Sequence, residues 1–325
     1  MATLLFVDTN IWLDFYRSNN EAGFSLLRHL NKLSPFIIMT EQVEMEFHKN
    51  RQAEILRSVS ALSPPKTMSF PAFLTIKQVN EINKTIRDTQ RLFKTIQSYL
   101  PSILENPEVN DQVYQACNKI FGKKDDLRFG KNHSEWKSIQ EKAENRHRLG
   151  YPPRKHSDTS IGDAVNWEWI IHCAISSKSN IAIVSRDSDY GQTSGEKTYL
   201  NNHLKREFSD RVGKVQRITL YAKVSSVLKE YKVTVTKKEQ QEEDRIIQLS
   251  PGPNRGSEYT NFLSAQNAAF YNSANTPQAL ATWAAYQASL QNRAQRTAIS
   301  AIQTPQEEEQ VKWTPNSRHR FKLLS

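Results

Sequence analysis

Cysteine is nearly absent: Cys117 and Cys173 are the only two in the chain. Two thiols make neither a disulfide framework nor a cysteine-rich zinc site, and their scarcity suits a reducing cytoplasm. No apolar run approaches the roughly 20 residues of a membrane span. No positive region precedes the first apolar stretch and Asp8 interrupts that stretch early, so a signal peptide is not expected. His48, His133, His147 and His156 lack zinc-ligand spacing, and none is assigned to metal. There is no internal repeat. Acid is short relative to base: 34 Asp and Glu stand against 44 Lys and Arg, a formal net charge of +10 over 325 residues. That imbalance favours a polyanionic partner, nucleic acid or an anionic surface, without fixing a fold. The length suffices for one large domain or two smaller ones.

What is present begins at Leu4-Leu5-Phe6-Val7, four apolar residues that read as a buried strand. The run stops at Asp8, and Ile11, Trp12, Phe15 and Tyr16 then recur at helical spacing. Pro35–Thr40 predicts a second strand. Thr40 is a good N-cap for a helix through Val43, Phe47, Ile55 and Val59, with Glu44 and Glu46 in its first turns. Ser63-Pro64-Pro65 breaks the pattern. Polar helices are predicted over about 75–100, 110–121 and 134–148, with a basic irregular stretch, Gly122–Lys131, before the last. The loop Gly150–His156 contains Pro152-Pro153 and cannot be helical. A helix beginning at Gly162-Asp163, a strand over Asn180–Ser185, a helix near Thr198–Phe208, a strand near Gln216–Tyr221 and a helix near Ala222–Tyr231 follow. Alternating strands and helices predict an α/β fold, a three-layer sandwich with a mostly parallel central sheet. Residues 1–235 are expected to form this domain, with a helical insertion over about 66–150. A linker is expected over 236–258, a small helical element over 259–303 rich in Ala, Gln and Asn, and a flexible tail over 304–325.

In a parallel sheet, strand carboxyl ends and the starts of the following helices share one edge. Asp8, Asp187 and Asp189 end strands, while Glu44 or Glu46 and Asp163 open helices, so these acids can converge there. Grouped carboxylates suit Mg²⁺ or Mn²⁺, because hard divalent cations prefer oxygen. A cation-bound water attacking a phosphodiester in line is the natural chemistry of such a site. Each acid also has a plainer reading: Asp8 as a helix cap, the glutamates and Asp163 as complements to helix dipoles, Asp187-Ser188-Asp189-Tyr190-Gly191 as an Asx turn. Four capping acids coinciding at these topological points is the less economical account. Among basic segments, Tyr151, Arg154, Lys155 and His156 lie nearest Asp163 in sequence and are the candidate substrate contacts. Lys123, Lys124, Arg128 and Lys131, with Phe129 and Trp136, read either as a phosphate and base platform or as a soluble insert. His48–Arg51 reads as a solvated helix face, and Trp167 and Trp169 as packing residues.

Four stretches in order resemble the PIN-domain nuclease superfamily, more narrowly the PIN-like branch found in larger bacterial proteins. They are Phe6-Val7-Asp8-Thr9-Asn10, Thr40–Phe47, Gly162–Trp167 and Ile183–Tyr190. The resemblance covers about residues 1–235. It implies a divalent-metal-dependent endoribonuclease leaving 5′-phosphate and 3′-hydroxyl ends, with a toxin-like or antiviral defence role among its expectations. It implies Asp8, Glu46, Asp163 and Asp187 as catalytic metal ligands, Asp189 as a further acid, and Asn10 and Ser185 as residues that orient ligands. The segment between Glu46 and Asp163 is far longer than in a minimal toxin-type PIN domain, so the substrate of such toxins is not carried over. Two alternatives stay open: a nuclease for DNA or flap structures, since nothing in the sequence reads a 2′-hydroxyl, and a non-catalytic module that binds nucleic acid. A regulatory protein partner, or self-association, is expected of the C-terminal region.

Overall fold

The computed structural model describes residues 2–60, 64–71, 73, 77–154, 160–195 and 197–249. The chain divides into two compact units, Met1–Pro253 and Asn254–Ser325, and all described residues lie in the first. The helical element expected over 259–303 and the tail after it lie outside the described residues.

Strand β1 (Thr3–Val7) is flanked by β2 (Ile37–Thr40) and β4 (Asn180–Val184), both parallel to it. Beyond β2 lies β3 (Arg128–Phe129), and beyond β4 lies β7 (Ile218–Tyr221), giving the order β3-β2-β1-β4-β7 with every pairing parallel. Leu4, Leu5, Phe6 and Val7 are all buried, as are Ile181, Ala182, Ile183 and Val184. Continuous apolar runs are what a parallel sheet covered on both faces requires. The chain winds outward from β1 through β2 to β3 and returns to β4 on the other side of β1. The order therefore reverses between β1 and β4, which opens a crevice at their carboxyl ends. Strands β5 (Gly191–Ser194) and β6 (Lys197–Leu200) form a separate antiparallel hairpin.

Helices flank the sheet. In α1 (Thr9–Asp14), Ile11, Trp12 and Leu13 are buried, and the Trp12 indole donates to the Val7 carbonyl at 3.0 Å. Helix α2 (Glu21–Lys32) buries Leu26, Leu27 and Leu30. The Thr40 hydroxyl caps α3 (Glu41–Ser60) by accepting from Val43 N at 3.1 Å. Helix α8 (Gly162–Ser177) is apolar nearly all round, with Trp167 and Trp169 fully buried, which marks it as an interior helix. Among the described residues no helix is long and apolar enough to cross a membrane.

Three expectations need correction. The segment read as an insertion is only partly one. Helix α4 (Lys77–Glu105) buries Ile86 alone, and α5 (Pro107–Asn110) is a single turn. Yet α6 (Gln112–Phe121), β3 and α7 (Trp136–Leu149) bury Cys117, Ile120, Phe121, Phe129, Ile139 and Ala143 in the common core. Phe121 meets Trp12 and Phe47 edge-on, at centroid distances of 5.5 and 5.1 Å. Next, the helix expected from Thr198 is displaced: β6 occupies those residues, and α9 (Asn202–Val212) starts where Asn201 caps His203 N at 2.9 Å. Lastly, the first half of the expected linker is helix α11 (Lys237–Leu249), with Glu239, Glu242, Glu243 and Ile246 buried. Its acids face inward because backbone donors await them. Glu243 accepts from Val224 N and, at 3.0 Å, Ser225 N, the first amides of α10 (Val224–Glu230). Glu242 accepts from Asn19 N at 3.1 Å and from Asn20 Nδ2 at 2.7 Å, just before α2. Helix starts leave such N–H groups without intrahelical partners, and α11 supplies acceptors for them.

Candidate metal centre

Asp8 sits at the crevice because β1 ends there: its N–H donates to the Val184 carbonyl at 3.0 Å, the last bond of the β1–β4 ladder. Its side chain does cap α1, Oδ1 accepting from Thr9 N at 2.7 Å. Oδ2 accepts from Asn10 Nδ2 at 2.7 Å and from the Ser185 hydroxyl at 2.5 Å. The Ser185 oxygen also accepts from Asp187 N at 3.0 Å, so one hydroxyl ties the end of β1 to the loop after β4. The expected Asx turn is there as well, Asp187 Oδ1 accepting from Asp189 N at 3.1 Å. Capping and turn formation thus position these acids rather than exhaust them.

Carboxylate oxygens of Asp163, Asp187 and Asp189 all lie within 4.8 Å of one another, and the three residues are half-buried. Asp8 and Glu46 fall outside this tight group. Asp8 reaches it through Ser185. Glu46 Oε2 accepts from the Thr9 hydroxyl at 2.9 Å and Oε1 from Gln42 Nε2 at 2.6 Å. Tyr190 is fully buried, and its hydroxyl has no hydrogen-bond partner among the described residues. Burial, then the charges of Asp163, Asp8, Asp187 and Glu46, push its pKa well above the ordinary phenol value.

Gly162 explains how α8 comes so close to α3. A Cβ there would stand 2.3 Å from Gln42 Nε2 and 2.9 Å from Glu46 Oε1. Four residues on, the buried Asn166 side chain accepts from the Thr40 hydroxyl at 2.6 Å, joining α8 to the end of β2.

The remaining candidates are sorted by their contacts. Glu44 turns away from the crevice and pairs with Arg128 at 2.7 Å. Lys123 donates to the Ser34 carbonyl at 3.1 Å and pairs with Asp125 at 3.1 Å; burial lowers its pKa. Arg51 is buried, not solvated: it pairs with Asp111 at 2.6 Å and donates to the Ile103 carbonyl at 2.7 Å. Arg186, directly before Asp187, pairs with Asp14 of α1. Tyr151 is exposed against the His203 ring of α9, and Arg154 is exposed. Lys155 and His156 lie outside the described residues. Trp167 and Trp169 pack as expected, their indoles donating to Glu207 and the Leu127 carbonyl at 3.1 Å.

Sequence reasoning gave no role to Tyr190, Thr9 or Gln42. Gln42 carries a faint signal, one helical turn before Glu46. Tyr190 carries none, since only the turn at Asp187 directs its ring back towards Phe6.

A family model described as PIN domain matches residues 5–190. No curated protein and no solved structure matches the chain.

Proposed function

The chain belongs to the PIN-domain family, and on that footing we propose that it hydrolyses phosphodiester bonds within RNA with a divalent cation, Mg²⁺ or Mn²⁺. The observation that carries this reading is the close group of Asp163, Asp187 and Asp189 at the crevice between β1 and β4. The donor set fits a hard cation: it is entirely oxygen, and a buried phenol lies under the charge of the surrounding acids. Asp163, Asp187 and Asp189 would hold the ion, with Asp8 and Glu46 beside them. When bound, it supplies Lewis-acid stabilisation of developing negative charge and a water of lowered pKa.

The chain's own residues do the rest. Ser185 and Asn10 fix the rotamer of Asp8, and Thr9 and Gln42 that of Glu46, as outer partners do around metal ligands. Left to themselves, the acids repel a phosphate, which confines hydrolysis to the cation-loaded protein. The excess of positive charge elsewhere draws in the strand's backbone. Tyr151, Arg154 and Lys155 are proposed to touch it. The proposed setting is the cytoplasm, with products bearing 5′-phosphate and 3′-hydroxyl ends, and with control through the C-terminal residues.

The test is cleavage by purified protein of matched RNA, DNA and flap substrates with Mn²⁺ or Mg²⁺. We expect RNA to be cut, and Asp187→Asn and Asp8→Asn each to lower the rate more than about 100-fold with the fold retained, beyond what loss of an outer partner costs. Equal cleavage by wild type and both variants overturns the reading. A 2′,3′-cyclic phosphate product overturns the cation-dependent route.

A further inference from the structure

Beside the carboxylates lies a cavity of about 330 Å³, within the range of small-ligand sites. We propose that it receives one unpaired nucleobase of the substrate strand, next to the phosphate that is cut. The proposal rests on the phosphodiesterase reading above and names the part of the substrate that reading leaves open.

Position is the first argument. Gln42 lines the cavity and donates to Glu46 at 2.6 Å, so one side chain borders both spaces. Ile161 and Val165 also line it, at the start of α8, and Gly162 between them abuts Gln42 and Glu46. A group seated in the cavity is therefore one side chain, Gln42, away from Glu46.

The lining is the second argument. Trp136 contributes a half-buried indole, backed by the buried Phe129 ring at 5.2 Å and 20°, which in turn stacks on Trp169. Met45 contributes an apolar side chain that is 47% exposed, an unusual outlay at the rim of an acidic crevice. Flat aromatic and thioether surfaces suit the face of a base. Glu41, Gln42 and Gln140 place a carboxylate and two amides around them, acceptors and donors that match the mixed edge of a base. Lys131 stands exposed at the same cavity, where a backbone phosphate would pass. Of the neighbouring cations, Lys123 and Arg128 are committed to Asp125 and Glu44. A base paired within a duplex cannot leave its stack without cost, so the occupant comes from a single strand.

The experiment uses end-labelled single-stranded RNA oligomers with one abasic residue moved stepwise past a fixed cleavage site. Cleavage with Mn²⁺ is measured for wild type, Trp136→Ala, Trp136→Phe and Met45→Ala, and binding of the same oligomers without divalent cation is followed by fluorescence anisotropy. We expect one abasic position beside the scissile bond to lower wild-type kcat/KM about tenfold, the scale of one lost stacking contact. Trp136→Ala should cut the intact oligomer about tenfold more slowly and ignore that abasic position, while Trp136→Phe restores most of the rate. Wild-type cleavage indifferent to every abasic position, or a Trp136→Ala variant that keeps the wild-type ratio of intact to abasic rates, overturns the proposal and leaves the nuclease reading standing. If no RNA is cut, the nuclease reading fails and binding decides the cavity: a tenfold preference for intact over abasic oligomer, lost in Trp136→Ala, supports it, and equal affinities overturn it. Should Trp136→Ala fail to fold by circular dichroism, the exposed Met45→Ala takes its place: a reduced ratio of intact to abasic rates supports the proposal, and the wild-type ratio overturns it.

Discussion

Helix α8 carries two acids, Asp163 and Glu168, that keep opposite electrostatic company. Glu168 is buried between guanidinium groups: Arg146 Nε lies at 2.9 Å and Arg211 Nη2 at 2.6 Å, and Glu207 pairs with both arginines. Burial pushes the Glu168 carboxyl up, but Arg211 and then Arg146 outweigh it and hold the pKa below the ordinary value. Asp163, at the start of the same helix, stands among other acids, with Asp187 and Asp189 oxygens within 4.8 Å. Neighbouring Asp8 accepts from a hydroxyl, an amide and a backbone N–H. The first arrangement ties α7, α8 and α9 together. The second gathers three carboxylates within 4.8 Å at the crevice, the group on which the proposed cation site rests.

The comparison is broken most severely by Glu168→Gln. Removing the buried charge leaves Glu207 alone against Arg146 and Arg211, and urea unfolding should show a loss of about 3–5 kcal/mol at pH 7. The sign with pH is set by the lowered pKa. The Glu168 contribution is complete above the unfolded-state value, near 4.5, and is lost as pH falls through the lower native value. Wild type and variant should therefore converge in acid, and a constant gap down to the lowest pH would refute the assignment.

Asp187→Asn should act in the reverse direction. Without divalent cation the variant gains about 0.5–2 kcal/mol, as function-linked strain is relieved. Thermal melts with added Mn²⁺ should raise Tm for wild type and leave the variant nearly unmoved. A variant less stable than wild type in a chelator would mean that the acids do not repel.

The smallest stability effect belongs to Gly162→Ala. The new methyl meets the flexible ends of Gln42 and Glu46, so stability should change by less than about 1 kcal/mol. Displacing Glu46 should still cost about 10- to 100-fold in cleavage rate. Unchanged turnover would show that the position of Glu46 is unimportant.

How much of this was legible in the sequence depends on how far each signal reaches. Asp8 and Asp163 were legible because a strand end and a helix start are local patterns, and topology then brings them to one edge. Glu46 against Glu44 was not: both lie early in α3, and only Arg128, on a two-residue edge strand, claims Glu44. That strand itself escaped notice, since two residues carry no period. The charged run over α11 read as linker because its acceptors satisfy donors far away in the chain, such as Asn19 and Val224. Tyr190 was invisible for the same reason. Its importance lies in neighbours that residue spacing alone does not reveal.

The pairing of β1 with β4 has a consequence for synthesis. Asp8 and the Ser185 hydroxyl that holds it are 177 residues apart. At the usual pace of translation, roughly 9–35 s pass between the two leaving the peptidyl transferase centre. Throughout that interval the nascent polypeptide carries its first acid without the loop that completes the crevice. On the function proposed above, a ribosome-bound chain stays inert towards the messenger beside it until the second half of the sheet has emerged.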